Sequence, residues 1–299
     1  MLTQPPAAGS SQALKHTLDT LYHRYNRRAL IPPDPLQFVY RYSDPLDREI
    51  AGFVAAGLAY GRVRQIAGSV DRLLTLMDAS PSRFVLDFDP PRSTALQGFR
   101  HRFTSGRDIC DLFTLLQWVL LEYGSIELCF LACSESADRN MLPVLSRFCA
   151  LLSDRYRTTT GRGMTAGLKY LLSDPARKSA CKRLNLFLRW MVRSDAVDPG
   201  VWKSVDPVSL IVPVDAHMAR LCRIIGLHDR KSVSLPMAIQ ITEAFKDLAP
   251  DDPVKYDFAL SRIGIVEDCD GRYRARCDAC ELLNYCLKRE NWPNGRREA

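Results

Sequence analysis

Alternation of apolar and polar residues at period two is scarce in this chain of 299 residues, so the sequence gives no basis for a half-buried sheet. Long apolar runs are lacking as well. The two longest, "IAGFVAAGLAYG" and the stretch around "FTLLQWVLL", are shorter than a bilayer span and flanked by charges, which argues against a membrane protein. The opening "MLTQPPAAGSSQALKHTLDTL" has no basic region followed by an apolar run; no signal peptide is expected, and the expected location is cytoplasmic. No internal repeat is found. Cysteine, by contrast, is not scarce. Ten thiols in a cytoplasmic chain point to reduced side chains or metal ligands rather than disulfides.

Helical spacing recurs from about residue 11 to residue 286. "SQALKHTLDTLYHRY" sets Leu14, Leu18, Leu21 and Tyr22 on one stripe, and "SDPLDRE" supplies a start signal, with Ser43 or Asp44 as cap and Pro45 at the first helical position. A small, Ala-rich helix is expected to break near Gly61. "DICDLFTLLQWVLLEYGSIELCFLACS" reads as a long apolar helical stretch of the core. "RYRTTTGRGMTAGLKYLLSDP" reads as a connection loosened by Gly161, Gly163 and Gly167. "SACKRLNLFLRWMVR" suggests a central helix, "SDAVDPGVWKSVDPVSLIVP" an irregular link, and "VDAHMARLCRIIGL" and "LPMAIQITEAFKDLAP" two further helices. Trp190 and Trp202 read as packing residues. The fold class expected is all-α.

The net charge of +7 is concentrated. "ARKSACKR" with Arg189 and Arg193 forms one block; Arg272, Arg274 and Arg276 with Lys288, Arg289, Arg296 and Arg297 form another. Both are compatible with a polyanionic partner. The second block overlaps "CDGRYRARCDACELLNYC", where Cys269, Cys277, Cys280 and Cys286 are separated by seven, two and five residues. A C-x-x-C pair brings two thiolates to one centre from a single turn, and flanking cysteines can complete four ligands. The spacing fits iron–sulfur and zinc alike. The remaining cysteines, among them Cys129, Cys133, Cys149 and Cys222, read as small core residues.

This cysteine pattern resembles the C-terminal iron–sulfur loop of the endonuclease III and adenine-glycosylase branch of the helix-hairpin-helix DNA glycosylase superfamily, where the first gap is one residue shorter. Two upstream features extend the resemblance. "PVDAHMARLCRIIGL" resembles the family's "VDTH"-like helix start and sets Asp215 at its aspartate. "KRLNLFLRW" resembles its lysine-bearing helix and sets Lys182 at its lysine. The resemblance implies a two-lobed fold: a helical barrel over residues 48–211, a second lobe from residues 1–47 and 212–290, and a disordered tail, 291–299. It further implies a [4Fe–4S] cluster (zinc being the alternative), duplex DNA as partner and a monomer. The activity implied is excision of a damaged base, with abasic-site lyase chemistry. Lys182 attacks the sugar C1′, which needs a neutral amine of the kind desolvation and neighbouring cations (here Lys178, Arg183 and Arg189) favour in general. Asp215 balances the positive charge that develops on the deoxyribose. Arg272, Arg274 and Arg276, on a loop braced by the metal, would face phosphates. In "AAGLAYGRVRQI" Tyr60 would stack on an extruded base, with Arg62 and Gln65 filling or reading the gap; His101 and Arg102 of "FRHRF", and Arg183, complete the nucleic-acid candidates. His217 is expected to satisfy a local hydrogen bond rather than bind metal.

The chain departs from the family at two places. "LLSDPARKSAC" lacks the glycines of the hairpin that normally precedes the lysine, and Lys182 and Asp215 stand 33 positions apart. The longer excursion, "RSDAVDPGVWKSVDP", is similar to that of the archaeal 8-oxoguanine glycosylase branch, which lacks the cluster. As a whole the chain resembles an uncharacterised bacterial family built around "SACKRLNLFLRWMVR" and "DPVKYDFAL". Two other functions stay open on the sequence: a non-catalytic nucleic-acid-binding protein on the same scaffold, and an enzyme acting on a free nucleoside or nucleotide.

Overall fold

The structure is a computed structural model and describes residues 8–266 and 269–288. The expected tail, 291–299, and Arg289, Arg296 and Arg297 of the second basic block lie outside the described residues. The described residues form helices in the order α1 (Ala8–Tyr25), α2 (Pro45–Gly57), α3 (Val63–Met77), α4 (Pro81–Leu86), α5 (Pro90–Thr94), α6 (Gly106–Tyr123), α7 (Ile126–Ala132), α8 (Met141–Thr160), α9 (Ala166–Leu171), α10 (Lys182–Val192), α11 (Ala216–Ile224), α12 (Leu235–Lys246) and α13 (Asp257–Val266). One small antiparallel hairpin, β1 (Arg100–His101) and β2 (Thr104–Ser105), pairs Arg100 with Ser105 and His101 with Thr104. The all-α expectation holds. No single helix among the described residues is long and apolar enough to cross a membrane.

Local chemistry starts and stops many of these helices. Asp44 caps α2, accepting from Leu46 N at 2.9 Å and Asp47 N at 3.2 Å, and Pro45 opens the helix as read from the sequence. Ser105 and Asp108 form a reciprocal capping box on α6. The Ala-rich segment breaks where expected, α2 ending at Gly57 and α3 beginning at Val63, with Gly61 between them at φ 103°.

The long apolar stretch is helical and core-forming as read, and it divides at Gly124, which takes the left-handed conformation that ends α6; the axes of α6 and α7 bend by 73°. One reading is corrected. The supposed loose connection is largely helical. Its "RYRTTT" continues α8, and Gly167 sits inside α9, where its missing side chain lets the Asp108 carboxylate approach: a Cβ there would lie 2.3 Å from Oδ2. That glycine makes a contact and does not loosen the chain.

α10 is the centre of the molecule, buried from Arg183 to Val192. It packs on α2 at Gly52, where a Cβ would stand 2.9 Å from Met191 Cε, and through the edge-to-face pair Phe53–Phe187 at 5.0 Å. Trp190 and Trp202 are buried packing residues, and Trp202 Nε1 donates to Glu49 at 2.6 Å. The first basic block is only partly a surface patch: Arg177 and Lys178 are exposed, whereas Arg183, Arg189 and Arg193 are buried. Arg189 is bonded to the buried Asp198 and Asp257, and Arg193 to Asp198 and to the half-buried Asp195 and Asp252. Against the desolvation that burial imposes, Asp198 and Asp257 hold the Arg189 guanidinium above its ordinary range. These ion pairs tie α10 to α13. α13 in turn receives α1, where Lys255 Nζ and Tyr256 Oη donate to Asp19 Oδ1 at 2.6 and 2.8 Å, and it also packs against α11.

Candidate active site

The first residue of α10 and the cap residue of α11 line one cleft of about 750 Å³. Lys182 Nζ lies 3.8 Å from Asp215 Oδ2 and donates to Ala59 O at 3.3 Å. The other carboxylate oxygen of Asp215 accepts from His217 N and Met218 N, each at 2.9 Å. The cap therefore fixes one oxygen on the helix and leaves the second for the amine. Both side chains are partly exposed, and such a pair contributes no more than about 1 kcal/mol. It is too weak to be what holds α10 beside α11; the buried arginine network ties α10 to α13, and α11 packs on α13.

Lys182 owes its position to the turn before it. That turn has no glycine, yet Lys178 (φ 62°) and Cys181 (φ 48°) adopt the left-handed backbone glycine would supply. Each such residue costs on the order of 1–3 kcal/mol and persists where its surroundings over-determine it. Here the buried Cys181 thiol donates to Ser173 O and Ser179 O at 3.1 and 3.3 Å.

The walls of the cleft are aromatic and cationic. Arg183 is buried, stacks 3.7 Å from the Tyr170 ring centroid and 5.0 Å from that of Tyr60, and donates through Nη2 to Tyr170 O and Ser173 Oγ. Its Nη1 has no partner among the described residues, and burial holds the guanidinium below its ordinary range. Tyr60 lines the cleft, but its hydroxyl is engaged, donating to His101 O at 2.8 Å with Thr104 Oγ1 also at 2.8 Å. His101 is fully buried, Nδ1 bonded to Ser69 Oγ at 2.8 Å and Nε2 to Tyr60 O at 3.0 Å. The expectation that His101 meets a base or phosphate is corrected: it braces the hairpin. Arg62 and Gln65 are exposed beside Gly61 at the mouth, and Arg102 extends over Gly61. His217 bonds locally, as read, its Nδ1 2.8 Å from Arg220 Nη2.

Cys269, Cys277, Cys280 and Cys286 are half-buried in the segment after α13. Arg274 N donates to Cys277 Sγ at 3.4 Å, and Cys280 N to Cys277 O at 3.1 Å, which makes the C-x-x-C a single tight turn. Burial, and then the nearby Cys269, Glu281 and Cys277, push the Cys280 thiol up to about 11 against the Leu282 N–H. Four sulfurs in one half-buried loop suit a thiophilic centre, although among the described residues no three acidic, histidine or cysteine side chains are arranged to hold a metal ion. Leu287 N donates to Ile224 O at 2.9 Å and Gly271 packs on Ile224, so the loop abuts the far end of the helix that Asp215 caps. Arg272 is exposed, Arg274 pairs with Asp270 at 2.6 Å, and neither they nor Arg276 line the cleft.

Residues 34–266 match the family described as protein of unknown function (DUF2400). The chain belongs to that family. The match spans Lys182, Asp215 and every other wall of the cleft named above, and it stops short of the four cysteines. No curated protein and no solved structure matches the chain. DUF2400 membership meets the expectation of an uncharacterised family; it carries no activity, so the function must be argued from the site.

Sequence reasoning missed several walls of this DUF2400 cleft. Tyr170 lies in the stretch read as a loose connection; Phe103, the last residue of "FRHRF", stands just outside the cleft against Tyr170. Asp257, Arg262 and Asp34 reach the cleft from distant segments. The helical spacing of Lys182, Leu186 and Arg189 along one face of α10 was the signal available for part of that floor.

Proposed function

We propose that this chain is a DNA glycosylase with abasic-site lyase activity, acting on duplex DNA with Lys182 as nucleophile and Asp215 as the charge-balancing carboxylate. The convergence of these two side chains, from positions far apart in sequence, on one aromatic-walled cleft carries the reading. The Lys182 amine bonds to C1′ as the bond to the damaged base breaks; the base leaves with the bonding electrons and takes up a proton. Asp215 offsets the positive charge that builds on the sugar in between. The C1′–O4′ bond then breaks with its electrons on O4′, which takes a proton from the attached nitrogen and leaves the Lys182–C1′ iminium that permits lyase chemistry. In this reading the cleft runs between a barrel lobe of residues 48–211 and a second lobe built from α1 and residues 212–290. Cys269, Cys277, Cys280 and Cys286 hold a [4Fe–4S] cluster, or zinc, as a brace, and Arg272, Arg274 and Arg276 meet phosphates.

Borohydride trapping on abasic and damaged duplexes tests the reading. Wild-type protein gives a covalent adduct, Lys182→Gln gives none, and Asp215→Asn binds DNA but forms the adduct on the order of 10²-fold more slowly. One observation favours a second reading: the Lys182 ammonium is already matched by Asp215 and Ala59 O. A chain that binds DNA in a salt-sensitive way, unchanged by Asp215→Asn and without any adduct, would be a non-catalytic nucleic-acid-binding protein.

A further inference from the structure

We propose that Phe103, at the tip of the β1–β2 hairpin, is a base-stacking residue that packs on the nucleobase adjacent to the one held in the cleft. This rests on the nucleic-acid reading above and adds a contact outside the cleft itself. Phe103 is 64% exposed, a large apolar ring left in water. It is not a stray surface residue. Of the exposed large apolar side chains among the described residues, Val63, Tyr170 and Val233 line the cleft, and Phe103 stands against Tyr170 with ring centroids 5.5 Å apart at 75°. Exposed apolar surface collected at one mouth marks a place a ligand covers.

The hairpin is built to hold that ring out. Tyr60 lies parallel beneath Phe103 (1°, 6.2 Å between centroids), and its hydroxyl is bonded to both strands through His101 O and Thr104 Oγ1. The buried His101 ring anchors the same turn to α3 through Ser69 and to the Tyr60 backbone. Arg102 sits between them in a left-handed backbone (φ 50°), its guanidinium 5.3 Å from the Phe103 centroid. A turn secured by this many buried bonds presents its ring at little further entropic cost on binding. Arg102 lies beside the Phe103 ring, Arg183 over those of Tyr60 and Tyr170, and exposed Lys169 lines the same cleft. Aromatic faces interleaved with cations suit a polyanion that carries planar rings, and they suit an apolar peptide poorly.

The test uses the full chain and a duplex carrying a tetrahydrofuran abasic analogue. Phe103→Ala weakens binding about tenfold or more, while the slope of affinity against salt stays as in wild type, because the lost contact neutralises no phosphate. Phe103→Trp restores affinity, and the indole it introduces is quenched on binding. The exposed position leaves thermal stability unchanged in both variants, so a loss cannot be charged to misfolding. If the wild type binds this duplex and traps on one with a natural abasic site, while Phe103→Ala binds the tetrahydrofuran duplex equally well, stacking is overturned and the glycosylase reading stands. If the wild type binds neither DNA nor RNA, both fall together.

Discussion

A lysine at the first turn of a basic helix ordinarily reaches into water, and an aspartate after Pro-Val at a helix start is ordinarily a cap and nothing more. Here the aspartate is both. Its two oxygens divide the work, one bonded to the backbone of α11 and the other facing Lys182. The residue types at 182 and 215 were legible in the sequence because their flanking patterns are distinctive. The contact between them was not, since nothing in a sequence measures the distance across 33 intervening residues. His101 failed for the opposite reason: beside arginines it read as a surface ligand, and only the hairpin shows that it is enclosed. Glu49 offers a residue-scale test of the interior. Burial pushes its carboxyl up to about 7, against the donors Ile126 N, Glu127 N and Trp202 Nε1 that favour the anion. A carboxyl raised in the folded state binds more protons there than in the unfolded chain. The stability it contributes is therefore complete below the ordinary carboxyl value and lost as pH rises through about 7. The expected loss between pH 4.5 and pH 8 is up to about 3 kcal/mol. Thermal melts across that range check it, and Glu49→Gln flattens the slope.

At the scale of elements, the sequence indicated where helices begin better than where they stop or bend. Caps such as Asp44 are local chemistry and survive in isolation. The division of α6 from α7 and the helical state of α9 are decided by packing. Gly167 is the clearest case, since a residue that loosens a free chain is here the one that admits Asp108. Gly264 does the same for the site. It lies in α13 against His217 of α11, where a Cβ would stand only 1.2 Å from Nε2. Gly264→Ala forces that ring aside and separates the helix bearing Asp215 from α13. A loss of about 1–3 kcal/mol is expected, seen as a melting temperature lower by several degrees. His217→Ala in the same chain recovers most of it, and a double-mutant cycle measures the coupling.

Across the whole molecule, the ion pairs of Arg189 and Arg193 join α10 to the C-terminal segment. They are weak evidence for net stability, because desolvation offsets much of their attraction, but they fix how α10 lies against α13 and so how the cleft closes. The cysteine loop is the other long-range brace, abutting α11 at the end opposite Asp215 and reaching α1 through Glu281 and Arg24. On the proposed reading, protein purified without oxygen shows the broad visible absorbance of an iron–sulfur centre. Cys280→Ser bleaches it and lowers the melting temperature; a colourless protein with one equivalent of zinc selects the alternative metal.

What the sequence determined by itself was short-range: the helical class, the caps, the break at Gly61, the buried run of α10 and the gathering of four thiols in one loop. These follow from spacing and side-chain type, which act over a turn or two of backbone. The tertiary structure decided which charges count. It turned the basic block at Arg189 and Arg193 into an interior network, supplied left-handed turns without glycine, and set Lys182 beside Asp215. Each of these depends on which distant side chain supplies the opposite charge or the missing volume, and that is fixed only when the chain closes on itself.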